Sequence, residues 1–440
     1  MKTEIKKMGI NGEGIGYINK KPVFVMGAFP NELVDIEIVE DKKTYLVGEL
    51  KKVIKRSTSR VHKLCKVEKC GSCALMGLHA KEQAEQKRKV VCQALFKYAG
   101  VRVDKIERMQ YNEQLFHYRN QIKMPLQEVD GALKCGLFLP NSNVFTPVEY
   151  CVVHEKALEE VRQKIEVLFE KHNAKGYNRK TKKGLRTLVL RHLNGKYQCT
   201  LVTGNEVLDM KLVDDIMSID GMVNVGQSIN TLPGGEVFGS PVKIIKGEEY
   251  LPFTFDGLQL QISNQSFFQL NTVQAKKLYQ GVYDMLKGEH YHTIVEAYSG
   301  IGGISLKIAD LADEIIGVES IPSAVNNAND NARRNSINNV TFVCNDAGKE
   351  IVEITKSKQI DAVVVDPPRT GLSDEFIDCL LQNKPRKIVY VSCNLSTLGK
   401  NLAKLQEVYE VKKVVPYDMF SHTAHVETVV LLSKMNTYKG

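Results

Sequence analysis

Three patterns of apolar and polar positions follow one another along the chain. Up to about residue 55 the period is two: Val34, Ile36 and Ile38 face one way, and Asp35, Glu37 and Val39 the other. The short runs PVFVM (22–26), LVDIEIV (33–39) and GELKKVIK (48–55), broken by Gly27 and Pro30, predict strands of a small β-barrel. After a polar connector, residues 81–99 have helical composition with basic residues on one side. From about 115 to 262, HYRNQIKMPL, LKCGLFLP, LRTLVLRHL and YQCTLVTG read as strands, with a helix from Lys156 to His172. Beyond 263 the pattern becomes regular. HTIVEAYSG, EIIGVESI, NVTFVCNDA, DAVVVDPPR, KIVYVSCN and HVETVVLLSK are continuous apolar runs, and the segments IGGISLKIADLA and PSAVNNANDNARRNSI between them read as helices. That alternation predicts an α/β fold, a doubly wound and mostly parallel sheet. The expected organisation is a β-barrel over 1–55, a connector and mixed α/β region over 56–262, and a Rossmann-like domain over 263–440.

Length agrees with this division, because 440 residues exceed what one hydrophobic core organises. At 43% hydrophobic and 25% charged the composition is that of a globular protein, so disordered and fibrous classes drop out. No stretch approaches 18 uncharged apolar residues, and the N-terminal MKTEIKKMGINGEG has no apolar core of a secretory signal. The expected compartment is the cytoplasm, with no membrane partner. There the ten cysteines are expected to serve metal binding or catalysis instead of disulfides. The net charge of +9 points to an anionic partner. Part of it is concentrated between Lys171 and His192, where Lys171, Lys175, Arg179, Lys180, Lys182, Lys183, Arg186 and Arg191 occur without one acidic residue. Such a run is either a solvated loop or a phosphate-contacting one.

The regular C-terminal region carries the chemistry. Tyr298-Ser299-Gly300-Ile301-Gly302-Gly303 closes a strand and opens a helix, where glycines permit a tight turn and free N–H groups face a ligand. Glu319 ends the next strand, placed to accept both hydroxyls of a ribose, and Asp346 ends the third, near an adenine. The next strand ends Asp366-Pro367-Pro368-Arg369, a rigid loop of the kind found where S-adenosylmethionine meets a planar base. Cys393 stands at the end of the following strand, between Ser392 and Asn394, and Glu427 just before the last apolar run. A thiolate, a carboxylate and a methyl donor are what methylation at C5 of a pyrimidine requires. The thiolate adds to C6, C5 then attacks the methyl group, and the base removes the C5 proton.

DPPRTGL (366–372), YVSCN (390–394), HVETVVLL (425–432), NQSFFQLN (264–271) and the glycine motif resemble the RNA 5-methyluridine methyltransferases. The N-terminal barrel resembles the TRAM module of that family's 23S rRNA branch, and the cysteines resemble its iron–sulfur motif, so the resemblance covers nearly the whole chain. It implies an S-adenosylmethionine-dependent RNA (uracil-5-)-methyltransferase, Cys393 as nucleophile and Glu427 as base. Gln269, Tyr298, Gly300, Glu319, Asp346 and Asp366 fall on methyl-donor positions. Phe267, Asp366 and Arg369 fall beside the target uracil. Ser299 stands where a Cys is usual, Leu395 where a Pro often follows SCN, and Glu296-Ala297 where Asp-Leu is usual.

Cys65, Cys70 and Cys73, with Cys151 far downstream, supply four thiols that suit a [4Fe–4S] cluster or a zinc site. The resemblance implies the cluster, although its first gap is five residues and here it is four. Cys92, Cys135, Cys199, Cys344 and Cys379 have apolar neighbours and are expected in cores. The implied partner is RNA, with 23S rRNA ahead of tRNA, because by resemblance the tRNA branch lacks both the barrel and the cluster cysteines. A non-catalytic iron–sulfur RNA-binding protein is the alternative of a different class. No feature requires a protein partner, and a monomer is expected.

Overall fold

The structure is a computed structural model that describes residues 1–67, 70–111, 114–140 and 142–436. The period-2 segment forms a six-stranded sheet in the order Lys2–Glu4, Leu33–Asp41, Leu46–Lys55, Lys21–Val25, Gly14–Ile18, Lys7–Met8. Val34 and Ile36 point into a core with Ile5, Val23 and Val25, and Val39 stays exposed, as alternation requires. The sheet curls on itself: Lys6 N–H donates to Ile15 O at 2.9 Å and Thr3 Oγ1 to Tyr17 O at 3.2 Å. Arg60 of the connector clasps the wholly buried Glu32 at its base, Nε to Oε1 at 2.5 Å and Nη2 to Oε2 at 2.7 Å. A bidentate pair of this kind fixes orientation as well as contact.

The middle region is a seven-stranded sheet in the order Lys243–Gly247, Met222–Ile229, Lys196–Thr203, Leu185–Leu193, Gln121–Val129, Ala132–Phe138, Phe145–Pro147. Helices Lys156–Lys171 and Met210–Met217 cover one face with Leu158, Ile165, Phe169, Val213 and Ile216. A hairpin, Leu251–Phe255 with Leu258–Ile262, then leads to the C-terminal sheet.

That sheet has seven strands in the order Val340–Cys344, Ala312–Glu319, Tyr291–Ala297, Ala362–Val365, Lys387–Ser392, Glu427–Lys434, Tyr409–Tyr417. The first five are parallel and the last two antiparallel to their neighbours. The order reverses at Tyr291–Ala297, from which the chain steps outward on one side and returns to start again on the other. In doubly wound sheets such a reversal is where ligands bind, outside the carboxyl ends of the strands.

Four expectations change at this level. The helix read over IGGISLKIADLA spans only Gly303–Lys307, followed by a single 3-10 turn at Ala309–Leu311, because the next strand begins immediately at Ala312. Strand Tyr409–Tyr417 did not stand out in the sequence; its lysines and glutamates occupy the edge, where one side meets water. Cys344 is exposed at the tip of the opposite edge strand, not in a core, although Cys135, Cys199 and Cys379 are buried as expected. Helix Ala80–Ala99 turns Val91 and Leu95 into the same core as Tyr390 of the C-terminal sheet and Leu398 of helix Leu395–Leu405, approaching that helix so closely that a Cβ on Gly399 would lie 2.6 Å from Cβ of Tyr98. Its basic residues are not all on the wet side, since Lys87 is completely buried.

Candidate active site

Strand register assembles the site. Ala297 pairs with Val318 on one side and Val365 on the other, and Val365 with Tyr390, so Tyr298, Glu319 and Asp366 leave the sheet at one level. Ser392 pairs with Thr428 across an antiparallel ladder. Cys393, one residue past the end of its strand, therefore stands opposite Glu427, the first residue of the next.

The glycine turn is built by its dihedrals. Tyr298 (φ 65°), Gly300 (φ 55°) and Gly302 (φ 83°) are all left-handed, and a non-glycine residue tolerates that region at a cost. The turn exposes Gly300 N–H, which donates to Glu319 Oε2 at 3.0 Å, while Glu319 Oε1 accepts from Ile321 N–H at 2.9 Å. Asp346 stands two residues beyond its strand and caps helix Ala347–Ser357, accepting from Lys349 N–H at 3.1 Å. Tyr298 lies against Phe376 with ring centroids 6.4 Å apart. Asn394 caps helix Leu395–Leu405 and donates from Nδ2 to Arg369 O at 3.0 Å, joined by Thr397 Oγ1 at 3.2 Å. The DPPR loop and the thiol loop are thus one unit. Arg369 is exposed, with its Nη2 3.1 Å from Nδ1 of His425.

Gln269 and Phe267 lie on the loop 263–271, which crosses the same edge. Ser266 Oγ donates to Asn327 Oδ1 at 3.0 Å, on the helix after Glu319, and Asn271 Nδ2 reaches Met419 O at 3.2 Å, on the segment before Glu427. Gln269 is buried, with its carbonyl held by Asn120 Nδ2 at 3.0 Å, and Phe267 is 57% exposed at the rim, where a planar group could stack on it.

Arg191, which read as part of a basic run, instead lies buried beneath this loop. It donates to Ser263 O at 2.9 Å and Ser266 O at 2.5 Å. Glu296 is a second group the sequence did not mark as functional. Burial first, opposed by Ser305 and aided by the charges of Asp366 and Glu319, raises its carboxyl to about 8. Ser305 N–H donates to it at 2.8 Å. A charged residue inside an otherwise apolar strand was the available signal for both.

The electrostatics follow from burial. Cys393 is pushed up to about 11 by desolvation, then by Glu427 and Asp366, with Arg369 opposing. Asp366 is raised to about 6 by burial, and Glu427 well above the carboxylate range by burial and Asp366. Two carboxyl groups and a thiol therefore share a poorly solvated cleft with one guanidinium. Such a cleft is suited to a cationic ligand and to a group that must hold or receive a proton.

The other four thiols form a separate constellation. Cys65, Cys73 and Cys151 pack with Met76, Tyr118 and Phe420. Burial and then the charges of Cys151, Cys70 and Cys65 raise Cys73 to about 12. Among the described residues no group of three or more His, Cys, Asp or Glu side chains stands in ready metal-holding geometry. Cys70 instead donates to Ser72 Oγ at 3.3 Å.

Fold, crevice and strand-end residues define a methyltransferase built on a doubly wound sheet. Comparison with known proteins sharpens this. The tRNA (Uracil-5-)-methyltransferase family matches residues 246–435, and the TRAM domain matches residues 3–51. An uncharacterized RNA methyltransferase of Bacillus cereus is 36% identical across 97% of this chain and 95% of its own length, and one of Clostridium tetani is 34% identical across 99% and 96%. The crystal structure of Pyrococcus abyssi tRNA (uracil-54, C5)-methyltransferase in complex with S-adenosyl-L-homocysteine superposes with a TM-score of 0.78 at 27% identity, covering 98% of this chain and 100% of that one. The chain belongs to the S-adenosylmethionine-dependent RNA uracil-C5 methyltransferase family. Among the described residues no helix is long and apolar enough to cross a membrane.

The thiol supplies a direct measurement. Iodoacetamide labelling of Cys393 in the free protein, read on its peptide by mass spectrometry with Cys393→Ala as blank, should rise with a midpoint near pH 11. Asp366→Asn removes one raising charge and should lower that midpoint. An ordinary thiol midpoint of about 8.5 in both proteins would mean a wet cleft.

Proposed function

We propose that this chain forms 5-methyluridine in RNA with Cys393 as nucleophile and Glu427 as general base. The observation that carries the reading is the antiparallel register of Ser392 with Thr428, which sets thiol and carboxylate side by side at the rim of the crevice. Gln269, Tyr298, Gly300, Glu319, Asp346 and Asp366 would hold the methyl donor, with Glu319 on the ribose. Phe267, Asp366 and Arg369 would hold the uracil.

In this scheme the Cys393 thiol first loses its proton to water, and the thiolate adds to C6. The C5=C6 electron pair moves through C4 to O4 as an enolate. C5 then takes the methyl group from the sulfonium, whose C–S bonding pair stays on sulfur as a neutral thioether. Glu427 removes the C5 proton, the released pair restores C5=C6, and Cys393 leaves as thiolate. Burial of Glu427 strengthens it as a base once the carboxylate is ionised. The donor's positive charge favours that ionised form in Asp366 and Glu427.

For the target, we propose 23S rRNA on the sequence resemblance, with tRNA as the second reading. The N-terminal barrel does not by itself count against tRNA, because a tRNA (uracil-54, C5)-methyltransferase is covered over its whole length by this chain. Mapping 5-methyluridine in rRNA and tRNA from a strain without this chain, against its parent, decides the target. No change in either RNA would overturn the reading.

We further propose that Cys65, Cys70, Cys73 and Cys151 hold a [4Fe–4S] cluster, in which case it would serve to fasten the connector to the middle sheet. The support is that Cys65 and Cys73 of the connector pack in one cluster with Cys151 from far along the chain, where a bound cation would stabilise their thiolates. Anaerobic purification should yield a brown protein with about four irons per chain; one zinc and no iron would sink this.

The exposed turn around Arg179, Lys180, Lys182 and Lys183 is proposed as a phosphate contact, since no carboxylate pairs with these four among the described residues. Neutralising the three lysines should flatten the log–log salt dependence of RNA binding by about 2, leaving methyl-donor affinity unchanged. An unaltered slope returns the turn to the solvent.

Glu427→Gln and Cys393→Ala separate the two roles. The first should still add to uracil and transfer the methyl group, then accumulate as a covalent RNA complex that survives denaturing electrophoresis. Its resolution should be slower by roughly 10²–10⁴-fold, the usual contribution of a general base. The second should give neither product nor complex. Wild-type turnover by Glu427→Gln would make Glu427 structural.

A further inference from the structure

The segment Asp418–Val426 has no regular structure, yet Asp418, Met419, Ser421, His422 and Val426 are all at most 3% exposed. It joins the last two strands and ends one residue before Glu427. An irregular buried segment must satisfy its backbone groups outside a ladder: Tyr118 Oη donates to Ser421 O at 3.0 Å, Leu75 N–H to His422 O at 2.8 Å and Asn271 Nδ2 to Met419 O at 3.2 Å, and helix Ala80–Ala99 holds the two ends. Lys87, with no exposed surface, donates from Nζ to Asp418 Oδ1 at 2.5 Å, Phe420 O at 3.1 Å and His425 O at 3.0 Å. An ammonium has three donors, and all three are used. One turn earlier on the same helix face, Gln83 Oε1 accepts from His422 N–H at 3.0 Å and its Nε2 lies 3.1 Å from His422 Nδ1.

A lysine buried only to fill space would be replaced by an apolar side chain without the cost of desolvating a charge. The partners here say what the charge is for. One is the carboxylate at the start of the segment, and the last is a carbonyl two residues before Glu427. Neither carbonyl lies in a β-ladder; Phe420 O accepts besides only from Thr423 of the same segment, N–H at 3.2 Å and Oγ1 at 2.8 Å, so Lys87 is what ties it to the rest of the fold.

We propose that Lys87 is a positioning residue for the proton-abstraction step, acting through the Asp418–His425 segment to hold Glu427 against Cys393. It rests on the uracil-C5 chemistry proposed above. A segment released at Phe420 and His425 leaves the thiol and the glycine turn in place, because these hang from other strands, and the loop of Gln269 keeps its bond to the segment at Met419 O, outside the released carbonyls. Addition and methyl transfer then proceed, and only loss of the C5 proton slows.

The test uses the full chain as Lys87→Met and as Lys87→Met/Asp418→Leu. The double variant removes both buried charges together, so it avoids the stranded carboxylate that could unfold the single variant, while both carbonyl tethers stay lost. RNA transcribed from 23S rRNA and from tRNA genes is made in two forms each, one with uridine and one with 5-fluorouridine. Fluorine at C5 cannot leave as a proton, so the second form stops at the methylated covalent complex whatever the base does. With 5-fluorouridine RNA, both variants should form the complex at the wild-type rate. With uridine RNA they should turn over roughly 10- to 100-fold more slowly, within the range lost when a general base is misplaced, and the covalent complex should accumulate. Wild-type turnover by the double variant overturns the proposal. So does an equal fall of both rates, which makes the Lys87–Asp418 pair a structural weld alone. Failure of the wild-type chain to form any complex with 5-fluorouridine RNA overturns the underlying chemistry instead.

Discussion

One antiparallel strand makes this site possible. In a parallel sheet every carboxyl end lies at one edge, so side chains that begin strands are delivered to the opposite edge. Glu427 begins its strand. Only because Glu427–Lys434 runs against Lys387–Ser392, with Ser392 paired to Thr428, does its carboxylate arrive where Tyr298, Glu319, Asp366 and Cys393 leave the sheet. A one-residue slip of this register would turn Glu427 to the other face, as it would every residue of the strand. The apolar run Val429, Val430 and Leu432, buried on both faces of the sheet, holds the register in place.

The same placement sets the electrostatics. Bringing Asp366, Cys393 and Glu427 to one poorly solvated rim raises all three, and the guanidinium of Arg369 offsets only part of it. A free cleft in this state gives up its protons at higher pH than the same groups would in water. A sulfonium beside the carboxylates would reverse the balance, so donor binding and the readiness of the acid–base groups are linked by charge alone. Glu296, below the glycine turn, extends the pattern one layer deeper. Its raised carboxyl is held by Ser305, so it braces the turn without adding a full negative charge near neutral pH.

Legibility in the sequence tracked how local each cause is. The glycine turn, the DPPR loop and the Cys393 strand end are each a few consecutive residues whose types follow from a turn or a strand terminus, and they were readable. Glu427 was readable as a carboxylate ahead of an apolar run, but its position beside Cys393 depends on strand direction, which no local pattern records. Strand Tyr409–Tyr417 did not stand out, because an edge strand alternates lysine and glutamate with valine much as a solvated helix can. Cys344 looked like core in a row of apolar neighbours, yet it sits where that row ends at the tip of an edge. Arg191 and Lys87 looked like surface charge, and both are buried, because two partners of each are backbone carbonyls that carry no residue identity, and the side-chain partners, Gln198 and Asp418, are brought to them only by the fold.

Those two buried cations explain why the chain needs more than its C-terminal sheet. The reacting edge is lined by two irregular segments, 263–271 and 418–426, and an isolated sheet has nothing to fix either one. Arg191 from the middle sheet holds the carbonyls of Ser263 and Ser266, and Lys87 from the connector helix holds those of Phe420 and His425. In each case a cation with no freedom to move has been brought by a different part of the chain. The donors fit only when the whole chain is assembled, since a buried charge without its partners is strongly unfavourable. The N-terminal sheet takes part as well: Gly12 comes so close to Ala424 that a Cβ there would lie 3.2 Å away, so a surface matched by the TRAM family abuts the segment that leads into Glu427.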